Sequence, residues 1–140
     1  MGKELITKVS INASPAKVWQ VLTDFAKYNE WNPFLIEIHG KAAAGERLNV
    51  KFANGWSMTP QLIVVEPEKE LRWQGKLAFG GLFDGEHRFI LTPTNGGAST
   101  ELEHAEKFSG ILIPLLSSML ADTKVNFEKM NVALDARCKA

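Results

Sequence analysis

The sequence predicts an α+β fold in which a curved, seven-stranded antiparallel sheet wraps around one long C-terminal helix, with two short helices after the first strand. Three observations carry that expectation. Apolar residues recur with a period of two from residue 34 to 108, the signature of strands with one face buried. Beyond residue 114 the period returns to about 3.6, that of an amphipathic helix. The breaks between the strands are short turn sequences such as Asn54-Gly55 and Asn95-Gly96-Gly97, which join antiparallel neighbours.

Each element follows in order. Residues 4–12 alternate, with Leu5, Thr7, Val9 and Ile11 on one face of a first strand. Ser14-Pro15 supplies an N-cap and a proline in the first helical turn. Val18, Val21, Leu22 and Phe25 then fall at helical spacing. A second short helix follows and stops before Pro33. Strands are expected near 34–40, 46–53, 56–66, 70–78, 86–93 and 98–108. Leu116, Leu120, Thr123, Phe127, Met130 and Leu134 form the stripe of the closing helix. A bent sheet around such a helix leaves space for a cavity, lined by aromatic and medium apolar side chains. No linker, repeat or low-complexity tract divides the chain, and a single domain over 1–140 is expected.

Composition narrows the function classes. The 140 residues carry 16 basic and 16 acidic side chains, net charge zero, with no Lys/Arg-rich run. Nucleic acid and anionic lipid both need a positive footprint, so neither is expected as partner. The single cysteine, Cys138, allows no internal disulfide and no Cys-based metal site, and fits a reducing, cytoplasmic setting. No run of about 18 apolar residues predicts a membrane span. The start reads as a strand rather than a signal peptide, and Ile6 stands where a myristoylation signal needs Ser or Thr. Nucleotide-binding glycine loops, Gly-x-Ser-x-Gly and His-Glu-x-x-His are all absent.

Four stretches resemble a known family. "SINASPAKVWQVLTDFAKYNEWNPFL", "EPEKELRWQGKL", "GEHRFILTP" and "GGASTELEHAEKFSGIL" contain Ser-Pro-x-x-Val-Trp, Trp-Asn-Pro and a late Glu-x-Phe-x-Gly. Together with the element order they resemble the START-like superfamily (SRPBCC, or helix-grip fold), in its polyketide cyclase/dehydrase-type branch. The resemblance spans nearly the whole chain. It implies the helix-grip fold and an internal cavity for a small hydrophobic ligand, such as a lipid, a polyketide or an aromatic-like molecule. A binder of that kind is expected to need no cofactor.

The strand "TELEHAEKF", residues 100–108, holds the candidate chemistry. Strand parity puts Leu102, His104, Glu106 and Phe108 on one face. In "GEHRFILTP", His87 shares its face with Phe89 and Leu91. Paired through the Asn95-Gly96-Gly97 turn, these strands bring His87, His104 and Glu106 together. Burying such groups without partners costs several kcal/mol, so they need each other, water or a ligand. A carboxyl in an apolar pocket is also a natural acid or base. Glu106, His104 and His87 are therefore the candidate catalytic residues, at most in a cyclase, dehydratase or hydrolase-type reaction. The alternative is a purely structural polar cluster with Arg72, Arg88 or backbone. No metal site is expected, because the spacing matches no zinc signature.

The expected ligand lining adds Trp31, Phe34, Trp56, Trp73, Phe79, Phe83, Phe89, Phe108, Leu116, Leu120 and Phe127 to those three polar residues. The glycine-rich but apolar segment 79–85 reads as a lid. The apolar run 108–116 reads as the opposite lip or as a homodimer contact, which makes a protein-interaction module the remaining alternative.

Overall fold

The computed structural model describes residues 2–76, 84–110 and 117–139, with side chains described for 3–75, 84–110 and 121–139. The first strand, β1 (Gly2–Ile11), leads into α1 (Pro15–Thr23). Ser14 caps α1 by accepting a hydrogen bond from the Lys17 backbone N–H at 3.2 Å. A 3-10 helix, Phe25–Glu30, follows as the second short helix. The Asn32 side-chain oxygen then accepts from the Phe34 and Leu35 N–H groups, each at 2.9 Å, and so turns the chain into β2 (Leu35–His39).

Next come β3 (Asn49–Phe52), β4 (Ser57–Met58), β5 (Gln61–Glu66), β6 (Glu70–Lys76), β7 (Asp84–Thr94) and β8 (Ser99–Ser109). The helix α2 (Ser117–Lys139) closes the described chain. The strands form a five-stranded antiparallel sheet in the order β1-β8-β7-β6-β5 and a three-stranded sheet in the order β2-β3-β4.

The α+β class and the helix-grip arrangement are as expected; among the described residues the strands form two sheets, of five and three, rather than one of seven. The run expected as one strand over 56–66 breaks at Thr59-Pro60 into β4 and β5. Proline has no N–H to donate to a ladder. The Pro60 carbonyl still accepts from the Leu48 N–H at 2.9 Å, and Arg47 bridges Gln61. Residues 45–48 therefore carry the large sheet's β5 edge over to the small sheet, so the two read as one surface with a seam.

The inner face of the large sheet meets α2. Phe127, Met130 and Leu134 are fully buried there, with Leu71, Phe89 and Leu102 from the strands. The outer face carries ion pairs. Arg72 binds Glu70 at 2.6 Å and Glu86 at 2.5 Å, and Arg88 binds Glu4 at 2.7 Å and Glu103 at 3.0 Å. Such partly exposed pairs contribute at most about 1 kcal/mol each, so the apolar inner face dominates stability.

Candidate functional site

The antiparallel register of β6, β7 and β8 places Trp73, His87 and Glu106 side by side, and Phe89 beside His104. All five side chains point to the inner face, where parity put them. His87 is 4% exposed and His104 is fully buried. Glu106 is the wet end, with 15% of its side chain exposed.

These groups form a continuous polar chain. Glu106 Oε1 lies 3.2 Å from His87 Nδ1. His87 Nε2 lies 2.7 Å from His104 Nε2. His104 Nδ1 lies 2.7 Å from Asn131 Oδ1 on α2. Asn131 Nδ2 donates to Thr7 Oγ1 at 2.9 Å, and the Thr7 hydroxyl donates to the His104 carbonyl at 2.6 Å. Five side chains from β7, β8, α2 and β1 thus satisfy one another, as buried polar groups must. Arg72 and Arg88 take no part; they face the other side of the sheet and bind other carboxylates.

Aromatic rings enclose the chain. Phe127 stacks on His104 with centroids 4.1 Å apart and planes at 11°. Trp73 stacks on His87 at 4.9 Å, and Phe89 on His104 at 4.5 Å. Phe34 reaches Phe127 at 5.7 Å. Burial, reinforced by His87 alongside, holds the His104 imidazole well below its usual range against the opposing effect of Asn131, so His104 is neutral near pH 7.

Space for the Glu106 carboxylate comes from a missing side chain. A Cβ on Gly85 would run into the Glu106 carboxylate oxygen. Its cross-strand partner Gly75 likewise leaves room for the Met58 methyl. Two facing glycines on β6 and β7 therefore open the sheet surface beside the polar chain.

The remaining expected lining residues divide. Phe108 is buried, 4% exposed, on the same strand face as Glu106. Trp31 sits apart, edge-on to Tyr28 at 5.1 Å, and borders an open surface cleft of about 340 Å³ with Lys17, Lys27 and Arg137. Trp56 does not join the wall: it is 55% exposed on the β3–β4 hairpin, where the Asn54 side chain accepts from its N–H at 3.0 Å. Phe79, Phe83, Leu116 and the Leu120 side chain, with most of the expected lid and lip, lie outside the described residues.

Sequence reading did not single out Thr7 or Asn131, although both carry a signal. Asn131 falls four residues after Phe127 and three before Leu134, on the buried stripe. Thr7 is the polar member of the inward face of β1. Among the described residues no group of three or more His, Cys, Asp or Glu side chains is arranged to hold a metal ion. No described helix is long and apolar enough to cross a membrane.

Residues 4–130 match the family described as polyketide cyclase/dehydrase and lipid transport. No curated protein matches the chain. Among solved structures, a protein from Mesorhizobium loti is 26% identical, with a TM-score of 0.77 over 96% of this chain and 95% of its own. A START superfamily protein from Mycobacterium smegmatis is 19% identical, with a TM-score of 0.74 over 97% of each chain. The Zhui aromatase/cyclase from a Streptomyces species is 15% identical, with a TM-score of 0.77 over 99% of this chain and 94% of that one. The last two share the fold with this chain.

Proposed function

Because the chain belongs to the polyketide cyclase/dehydrase and lipid transport family, we propose that it binds a small hydrophobic ligand between the large sheet and α2, anchored through Glu106. The supporting observation is the chain of buried polar groups that ends in a partly exposed carboxylate among aromatic rings. An interior built only for stability gains little from five polar side chains, since well-packed apolar residues serve as well. A ligand with an apolar body and one polar end matches that wall: rings against Trp73, Phe89 and Phe127, polar atom at Glu106. The protein is read as one domain working without cofactor or metal in the cytoplasm.

Native mass spectrometry of protein purified under mild conditions tests this directly. A retained apolar molecule is expected, and Glu106→Gln is expected to change its affinity while the fold persists. Protein that carries nothing and takes up no apolar probe would overturn the reading.

The polar chain also favours a second reading, a cyclase, dehydratase or hydrolase-type enzyme with Glu106 and His87 or His104 as acid and base. Glu106→Gln would then abolish turnover rather than alter affinity, and a bell-shaped pH profile would disappear with it.

A further inference from the structure

The hydrogen-bond distances determine where the protons of the chain lie. A backbone carbonyl only accepts, so the hydrogen of Thr7 Oγ1, 2.6 Å from the His104 carbonyl, is committed there. Thr7 Oγ1 then only accepts from the Asn131 amide at 2.9 Å, which puts Nδ2 toward Thr7 and Oδ1 toward His104. Oδ1 is an acceptor, so His104 Nδ1, 2.7 Å away, carries a hydrogen. His104 is neutral, so its Nε2 is a lone pair, and His87 Nε2 at 2.7 Å must be the donor. With Nε2–H spent, His87 Nδ1 attracts Glu106 Oε1 at 3.2 Å only if one further proton lies between them. The pair is imidazolium with carboxylate, or imidazole with carboxylic acid.

We propose that Thr7 and Asn131 are positioning residues that fix the direction of this chain, so that the Glu106–His87 pair retains one proton and receives a ligand through an acceptor oxygen, the carbonyl of a ketone or ester. This rests on the ligand-binding reading above. The pair has no net negative charge to attract an amine cation; it has a proton to offer. If that proton passes to a ligand carbonyl, its bond to Glu106 Oε1 or His87 Nδ1, whichever holds it, breaks and a new O–H bond forms on the ligand oxygen. The carboxylate is then left facing the bare Nδ1 of His87. Short of the proton's return, that repulsion ends only if the whole chain reverses, with Asn131 turned over and Thr7 released from the His104 carbonyl. The Thr7 bond opposes the reversal, so the resting site holds its proton and returns to it after each ligand.

Histidine tautomers report this without any ligand. In long-range proton–nitrogen correlation spectra of ligand-free protein with labelled histidine at pH 7, His104 is expected as the Nδ1–H form and His87 protonated at Nε2. His104 found as the Nε2–H form would overturn the proposal. Thr7→Val removes the committed hydroxyl and is expected to move His104 toward the Nε2–H form, while Thr7→Ser keeps the wild-type pattern. If the valine variant does not fold, the wild-type and serine spectra still decide.

A second arm uses 2-acetylnaphthalene, naphthalene and naphthylmethylammonium as probes. The ketone is expected to bind about tenfold more tightly than naphthalene, the value of one good hydrogen bond. That ratio is expected to fall to about one in Glu106→Ala. Preference for the ammonium probe would overturn the proton assignment. Failure of all three probes beside the expected tautomers would instead overturn the ligand-binding reading and the ligand half of this proposal with it.

Discussion

Gly85 matters at the residue scale because its missing side chain is occupied by another residue's charge. The atom that an added methyl would strike is the far end of the flexible Glu106 side chain, not backbone. Gly85→Ala is therefore expected to move the carboxylate off His87 rather than distort β7. Its stability cost should stay within about 1 kcal/mol, since alanine in a strand also relieves the entropy cost of glycine. Its effect on ketone-probe binding should match that of Glu106→Ala, and equal binding by variant and wild type would show that the carboxylate is not the anchor. Phe127 stands at the opposite extreme: fully buried and stacked on His104, it is core, and Phe127→Ala should cost about 3–5 kcal/mol in denaturant unfolding. The three titratable members of the site were legible from strand parity alone, because alternation forces His87, His104 and Glu106 to share a face with Phe89 and Leu102. Their partners were not. Thr7 and Asn131 are uncharged residues on otherwise apolar faces, and a pattern cannot say whether such a residue meets water or a neighbour 97 or 27 positions away.

At the element scale, turn chemistry was the most readable feature. Ser14-Pro15 starts α1, and Asn95-Gly97 forms a 3-10 turn between β7 and β8 with Asn95 and both glycines at positive φ. Ser14→Ala removes the acceptor for the Lys17 N–H and should lower stability by about 1 kcal/mol, whereas Ser14→Asp should retain it. Equal loss in both variants would show that the cap bond is not what Ser14 contributes. The strand boundaries around residues 45–61 were less readable. There the bonds run between irregular segments, such as Gly45 N–H to the Leu62 carbonyl at 2.8 Å, and the flanking ladders shift register between Leu35 and Glu37 and between Leu62 and Val64. A period of two records which face is buried; it does not record where a ladder changes partner. Trp56 shows the consequence. Just past a tight turn, it stays 55% exposed whatever its hydrophobicity.

On the scale of the whole molecule, the polar chain ties β1, β7, β8 and α2 together, elements that span almost the full length of the sequence. Global stability should therefore respond to the protonation of its buried centre. His104 is held well below its ordinary value of 6.5 in the folded protein, mainly by burial and then by His87. In the unfolded chain it titrates normally. Below pH 6.5 the unfolded state binds a proton that the folded state refuses, so unfolding takes up protons and stability falls as the pH falls. The contribution is whole above pH 6.5 and declines by up to about 1.4 kcal/mol per pH unit until the folded-state value is reached. Outer-face ion pairs such as Arg88 with Glu4 and Glu103 are common to wild type and any inner-face variant. The informative quantity is the difference between wild type and His104→Gln, in urea unfolding from pH 8 to pH 5. Wild type should lose stability more steeply below pH 6.5 by about one proton's worth of slope, while the glutamine variant starts lower and falls more gently. Parallel curves would mean that His104 already accepts a proton in the folded state. The lone pair that His87 needs as its acceptor would then not exist, and the direction assigned to the whole polar chain would fall with it.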